Sequence, residues 1–176
     1  MNDTLSRLRD NEGYCEIAFY KSIQPSDYIP RFIEAGWCGL HRNRKIYHLV
    51  GQFGTKSEIV EALRRVLKSL EYIHSSGYIH GDVIAENVLV SGNKVVLGDF
   101  GWAKNIGTEW FNRIDHDLLA YERIMIRLIT GQWYNYDMWF TLRDGPNETL
   151  MKKIPMDDVI ERYLKNLWNG DLYQLD

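Results

Sequence analysis

The chain has 176 residues, 45% of them hydrophobic and 26% charged, with a formal net charge of −3. This length suits one compact domain, because a single core stops growing only beyond about 250 residues, and the residue usage is that of an ordinary globular protein. The slight acidity leaves no electrostatic footprint for nucleic acid or an anionic membrane, partners that reward clustered Lys and Arg, so neither is expected.

The opening MNDTLSRLRDNEG is polar and holds no apolar run, so neither a signal peptide nor a membrane anchor is expected. Cys15 and Cys38, the two cysteines, suit a reducing compartment and neither a disulfide framework nor a zinc site. A cytosolic or nuclear location is the default. Residues 12–23 read as a short helix, stopped by Gln24-Pro25-Ser26-Asp27 and by the restriction Pro25 places on its predecessor. Two extended runs, 29–37 and 45–53, flank the turn-like Gly39-Leu40-His41-Arg42-Asn43 and predict a hairpin.

Over residues 57–75 the apolar side chains Ile59, Val60, Leu63, Val66, Leu67, Leu70 and Ile73 recur at helical spacing, with Ser57 as the N-cap and Gly77 as the stop. Short strands 88–90 and 95–97 flank Ser91-Gly92-Asn93-Lys94, whose Gly-Asn centre favours a tight turn. A largely apolar helix is predicted over 117–130, ending at Gly131, and two further helices near 135–142 and 156–168. No repeat or linker divides the chain, and the four prolines are local punctuation, so a single domain spanning 1–176 is expected.

The segment with chemistry is Tyr78-Ile79-His80-Gly81-Asp82-Val83-Ile84-Ala85-Glu86-Asn87-Val88-Leu89-Val90, followed nine residues after Val90 by Asp99-Phe100-Gly101. It resembles the catalytic loop H-R-D-x-x-x-x-N and the metal-binding D-F-G of eukaryotic-type protein kinases, with the Asp-to-Asn spacing of five kept. The resemblance implies an α+β, protein kinase-like fold. A reduced N-terminal lobe and hinge, helix C plus a β-hairpin, would occupy residues 1–53, and a mainly α-helical C-terminal lobe residues 54–176.

Phosphoryl transfer asks a protein for positioning and charge neutralisation, because its transition state is loose and its charge sits on phosphate oxygens. By the resemblance, Asp82 accepts or orients the proton of the substrate hydroxyl, while Asn87 and Asp99 hold Mg²⁺ on the phosphates of ATP, as the hard oxygen ligands this cation prefers. Asp82, Asn87 and Asp99 are thus the implied catalytic set. Val50 falls at the gatekeeper, Gly51, Gln52 and Phe53 fall at the hinge that bonds adenine, and Leu89 joins Asp99 in the nucleotide site. Glu16 matches the glutamate of helix C, with Tyr20 one turn later where it can pack towards Phe100. Asp117 matches the aspartate that steadies the catalytic loop backbone. ATP and Mg²⁺ are the implied cofactors, and a protein Ser or Thr hydroxyl the implied acceptor.

The chain also departs from the pattern. No glycine-rich loop or V-A-I-K strand has a counterpart ahead of Glu16, and neither Lys21 nor Lys45 stands in a matching context. Gly81 replaces the arginine that reads a phosphorylated activation loop. Only fifteen residues separate Gly101 from Asp117, with no A-P-E between them. Ile84 stands where Ser/Thr kinases usually carry a lysine on the transferring phosphate, a charge it cannot supply. These departures support the alternative of a catalytically weak or dead pseudokinase that binds and regulates another kinase.

Blander readings apply elsewhere. His80 reads as a packed histidine bracing the loop, and His41, His48, His74 and His116 as surface or satisfied residues with no partner at metal spacing. Gly51-Gln52-Phe53-Gly54-Thr55-Lys56-Ser57 is not a P-loop, because Thr55 separates Gly54 from Lys56. Glu16 reads equally well as an exposed helix charge. The aromatic run Trp133-Tyr134-Asn135-Tyr136, with Trp139 and Phe140, reads as core packing in preference to a partner patch.

Overall fold

Residues 14–32, 54–92, 94–107, 113–131, 152 and 156–175 are described by a computed structural model of the chain. They form an α+β arrangement. Helix α1 covers residues 14–22; α2 is Lys56–Ser75, β1 Tyr78–Ile79, β2 Val88–Ser91, β3 Lys94–Leu97, β4 Lys104–Asn105, α3 Ile114–Thr130 and α4 Asp158–Trp168. Strands β2 and β3 form an antiparallel hairpin in the register Val88↔Leu97 to Ser91↔Lys94. Strands β1 and β4 pair antiparallel, Tyr78 opposite Asn105 and Ile79 opposite Lys104.

Helix α2 begins at a capping box. Glu58 accepts from the Thr55 and Gly54 N–H groups at 2.9 and 2.8 Å, while Thr55 Oγ1 accepts from the Glu58 N–H at 3.3 Å. Two donors that the first turn would otherwise leave unpaired are thereby satisfied. The N-cap is therefore Thr55 and not Ser57, for a physical reason. Three residues after Thr55 stands Glu58, which can answer the cap, whereas three after Ser57 stands Val60, which cannot.

The apolar stripe expected on α2 is the centre of the core. Leu63, Val66, Leu67, Leu70 and Ile73 are buried against Leu118, Tyr121 and Met125 of α3, with Ile160, Tyr163 and Leu164 of α4 in the same cluster. The Tyr121 hydroxyl donates to the Leu63 carbonyl at 3.1 Å, tying α3 to α2. On the same helix, buried Ser69 donates to the Tyr28 carbonyl at 2.6 Å and accepts from the Leu97 N–H at 3.4 Å. One hydroxyl thus fastens both the segment after α1 and the β2–β3 hairpin to α2, which sets the loop between β1 and β2 over a rigid base.

Several boundaries differ from expectation. Helix α3 starts at Ile114, three residues ahead of Asp117, because Asp115 and Asp117 suit the positive end of the helix dipole though neither belongs to the apolar stripe. Helix α4 starts at Asp158, where Asp157 caps it by accepting from the Val159 N–H at 2.9 Å. The β1–β4 pair was not expected, since two-residue strands are too short to show alternation. Residues 29–32, the start of the first predicted hairpin, form a bend and irregular backbone. The rest of that hairpin, the helix predicted near 135–142 and the aromatic run at 133–136 lie outside the described residues. Among the described residues, no helix is long and apolar enough to cross a membrane.

Candidate active site

The site is built on the loop between β1 and β2, residues 80–87, and on the turn that follows β3. Asp117, fully buried in the first turn of α3, holds the loop from below. Its Oδ2 accepts from the His80 N–H at 2.6 Å and its Oδ1 from the Gly81 N–H at 2.9 Å. His74 Nε2 lies 2.8 Å from Oδ2. Burial alone would raise the Asp117 carboxyl, but the hydrogen bonds from His74 and from the His80 backbone outweigh it and hold the group below the ordinary carboxylate value.

His80 is a brace. Its Nδ1 accepts from the Asp82 N–H at 3.3 Å, and its Nε2 lies 3.0 Å from the Gly98 carbonyl. With one nitrogen accepting from a backbone amide, the other must carry the proton that reaches Gly98, so this ring is neutral. Burial lowers its affinity for a second proton in keeping with that assignment. One imidazole therefore links the loop bearing Asp82 to the residue before Asp99.

Asn87 is buried and ends a short 3₁₀ turn, Ala85–Asn87. Its side-chain amide reaches two oxygens of one residue, the carbonyl and Oδ2 of Asp82, both at 2.9 Å. Both are acceptors, which identifies the facing atom as Nδ2 and leaves Oδ1 turned away from Asp82. The Asn87 carbonyl also accepts from the Gly98 N–H at 2.9 Å, one step beyond the β2–β3 ladder, so Asp99 follows directly on a residue bonded to Asn87. Asp99 has φ 64°, a left-handed conformation that Asp tolerates better than most residues but that costs energy, and such strain concentrates at functional turns.

Behind Asp99, Phe100 is wholly buried. It stacks on Phe19 of α1 with centroids 4.1 Å apart, meets Tyr20 edge-on at 5.3 Å and lies 5.1 Å from the His80 ring. The contact with Tyr20 is the one expected; Phe19 was missed, although its place one turn before Ile23 on the apolar face of α1 was the available signal. Burial first, then the charges of Glu16 and Asp99, push the Tyr20 hydroxyl far above its ordinary value.

One close approach explains a glycine in the loop, and another brings Leu89 over Gly98. At Gly81, φ is +80° and an added Cβ would lie 2.5 Å from the Trp102 carbonyl oxygen, so an arginine cannot follow this path. At Gly98 an added Cβ would meet Leu89 Cδ1 at 2.8 Å. Leu89 thus covers the strand that leads to Asp99 while remaining 40% exposed. The other expected nucleotide-binding residues, Val50, Gly51, Gln52 and Phe53, lie outside the described residues. A cavity of about 240 Å³ opens between the loop and α3, with Asp82, Ile84 and Glu86 on one wall and Leu119, Arg123 and Ile124 on the other.

Among the described residues, no group of three His, Cys, Asp or Glu side chains is placed to hold a metal ion unaided. Asn87 Oδ1 and the Asp99 carboxylate are hard oxygen donors, one neutral and one anionic. That pair fits a Mg²⁺ ion whose remaining ligands come from phosphate and water.

The profile of the protein kinase domain matches residues 17–139. The serine/threonine-protein kinase pakG of Dictyostelium discoideum is 31% identical over 98 residues, which is 55% of this chain and 8% of that protein. The kinase pakF of the same organism is 32% identical over 91 residues, 51% of this chain and 8% of its own length. Mitogen-activated protein kinase kinase kinase 17 of Arabidopsis thaliana is 42% identical over 52 residues, 29% of this chain and 14% of the relative. The matched stretch is thus a small part of each of these longer proteins.

Proposed function

The chain belongs to the protein kinase family, and from that premise we propose that it binds ATP with Mg²⁺ and transfers the terminal phosphoryl group to a Ser or Thr hydroxyl of a protein. Its α+β arrangement is a reduced form of that fold. The observation that carries the reading is the double hydrogen bond from Asn87 to Asp82, made beside the turn that bears Asp99.

Magnesium bound with ATP would neutralise charge on the phosphate oxygens, the main electrostatic demand of this reaction. Asn87 Oδ1 and the Asp99 carboxylate are the groups that would hold it. Asp82 spends Oδ2 on Asn87 and keeps Oδ1 for the proton of an incoming hydroxyl. Asp117 fixes the backbone on which Asp82 stands by binding two successive N–H groups. Asp82 also lines the cavity against α3, which supplies room for an acceptor side chain.

The test is transfer of radiolabelled γ-phosphate to a protein acceptor by protein purified free of host kinases. Transfer that disappears in Asp99→Ala is expected, and its absence from the unaltered chain overturns the reading.

Ile84 favours a second reading. It is 39% exposed on the wall beside Asp82, where Ser/Thr kinases usually place a lysine, and its aliphatic chain gives the transferring phosphate no charge. A binding module that regulates a partner kinase without chemistry would capture that partner whether or not ATP is present, and would transfer no label.

A further inference from the structure

The catalytic loop is held by a relay of hydrogen bonds that extends well beyond it. The Tyr173 hydroxyl lies 2.7 Å from His74 Nδ1, His74 Nε2 lies 2.8 Å from Asp117 Oδ2, and Asp117 accepts from the N–H groups of His80 and Gly81. Tyr173 belongs to the segment after α4. That segment is itself anchored, with Leu175 buried, the Asp171 N–H on the Asn166 carbonyl at 2.8 Å and Asn166 Nδ2 on the Gln174 carbonyl at 3.3 Å.

We propose that Tyr173 is a positioning residue for the catalytic loop: its hydroxyl donates to His74 Nδ1 and so fixes the ring that presents Nε2–H to Asp117. For a neutral ring, the chemistry of each partner fixes the direction. The Asp117 carboxylate, ionised, can only accept, so the nitrogen facing it carries a proton. The second nitrogen of a neutral imidazole is then an acceptor, and the phenol is the donor that faces it. Burial, then the charges of Glu71 and Asp117, push the phenol up to about 12, so it keeps its proton at neutral pH. Among the described residues, Asp117 from α3 and Tyr173 from the last segment are the groups hydrogen-bonded to the imidazole; His80 stands beyond Asp117, and the charge of Glu71 on α2 acts on Tyr173.

With the hydroxyl absent, Asp117 still selects the Nε2–H tautomer but holds the ring from one side only, and a ring freer to turn loosens Asp117 and through it the two amides beneath Asp82. A residue that acted only as packing would produce none of this, since phenylalanine keeps the ring.

The test is Tyr173→Phe in the full chain, read by ¹⁵N resonances of the His74 ring and by amide exchange. The expected result is an Nε2–H tautomer in both proteins, with the Nδ1 resonance shifted in the variant by loss of its donor, exchange at His80 and Gly81 several-fold faster and the β2–β3 amides unchanged. An Nδ1–H ring in the unaltered protein, or identical spectra and exchange in the two proteins, overturns the proposal. A kinetic arm rests on the proposed phosphoryl transfer: turnover should fall roughly fivefold, the size of one neutral hydrogen bond. Absence of transfer in both proteins would count against that activity alone, since the ring and amide readouts need no substrate.

Discussion

Both hydrogens of the Asn87 amide are spent on one neighbour, Asp82, whose carbonyl oxygen and Oδ2 each lie 2.9 Å from Nδ2. A residue expected to serve a metal ion is therefore also the residue that orients the expected base. The two roles use opposite ends of the same side chain.

Asn87→Ala removes both bonds, although the Asp82 carbonyl keeps the Ile84 N–H at 3.1 Å. It should cost about 1 kcal/mol of stability, the net contribution of a typical hydrogen bond, read as a lower urea midpoint. Phosphoryl transfer should fall by far more than that unfolding explains. An Asn87→Ala protein with unaltered transfer would contradict the shared role.

Asp117 makes the fold sensitive to acid. Its carboxyl titrates below its ordinary value in the folded chain, so the folded state binds this proton less readily than the unfolded one. The stabilisation is complete above the unfolded value of about 4 and is lost as pH falls through the folded value. Asp117→Asn should lose about 1–3 kcal/mol at pH 7, as expected when the hydrogen-bond partners of a buried group are disturbed, and should show a flatter decline below pH 4 in urea titrations.

His80 acts in a higher window. Burial lowers its folded value below the ordinary 6.5, so protons bind the unfolded chain more readily, and stability falls as pH drops below about 6.5. His80→Phe keeps a ring against Phe100 and should flatten the unfolding free energy between pH 5 and 7, although it forfeits the bond to the Gly98 carbonyl. An unchanged slope would show that the acid response in this range comes from other groups.

Gly81 is a backbone requirement in this chain. Its φ of +80° and the 2.5 Å approach of the Trp102 carbonyl leave no room for a side chain, so Gly81→Arg should destabilise the protein by about 2 kcal/mol or more through left-handed strain and steric overlap. Restoring the arginine of the familiar motif should therefore lower the melting temperature and not improve activity. A stable, more active Gly81→Arg variant would refute the account of this turn.

The sequence showed much of this because its strongest signals are periodic or closely spaced. The α2 stripe from Leu63 to Ile73 follows a 3.6-residue period, and Asp82, Asn87 and Asp99 were legible through their resemblance to the kinase catalytic-loop and D-F-G motifs. Cap positions were less legible: Thr55 and Ser57 are both good cap residues, and only the reciprocal bond from Glu58 separates them. The Tyr173–His74–Asp117 relay could not be read at all, since it joins side chains separated by 99 and 43 positions with no local pattern. Phe19 was hidden for a related reason, as an apolar residue on a helix face gives no sign of which aromatic partner it meets.

Calorimetric titration with ATP, run with and without Mg²⁺ on the unaltered chain and on Asp99→Ala, tests most directly whether Asn87 and Asp99 form a metal–nucleotide site. The expected result is binding that requires the cation and vanishes in the variant. ATP binding that ignores both the metal and the substitution, or no binding under any of these conditions, would contradict it.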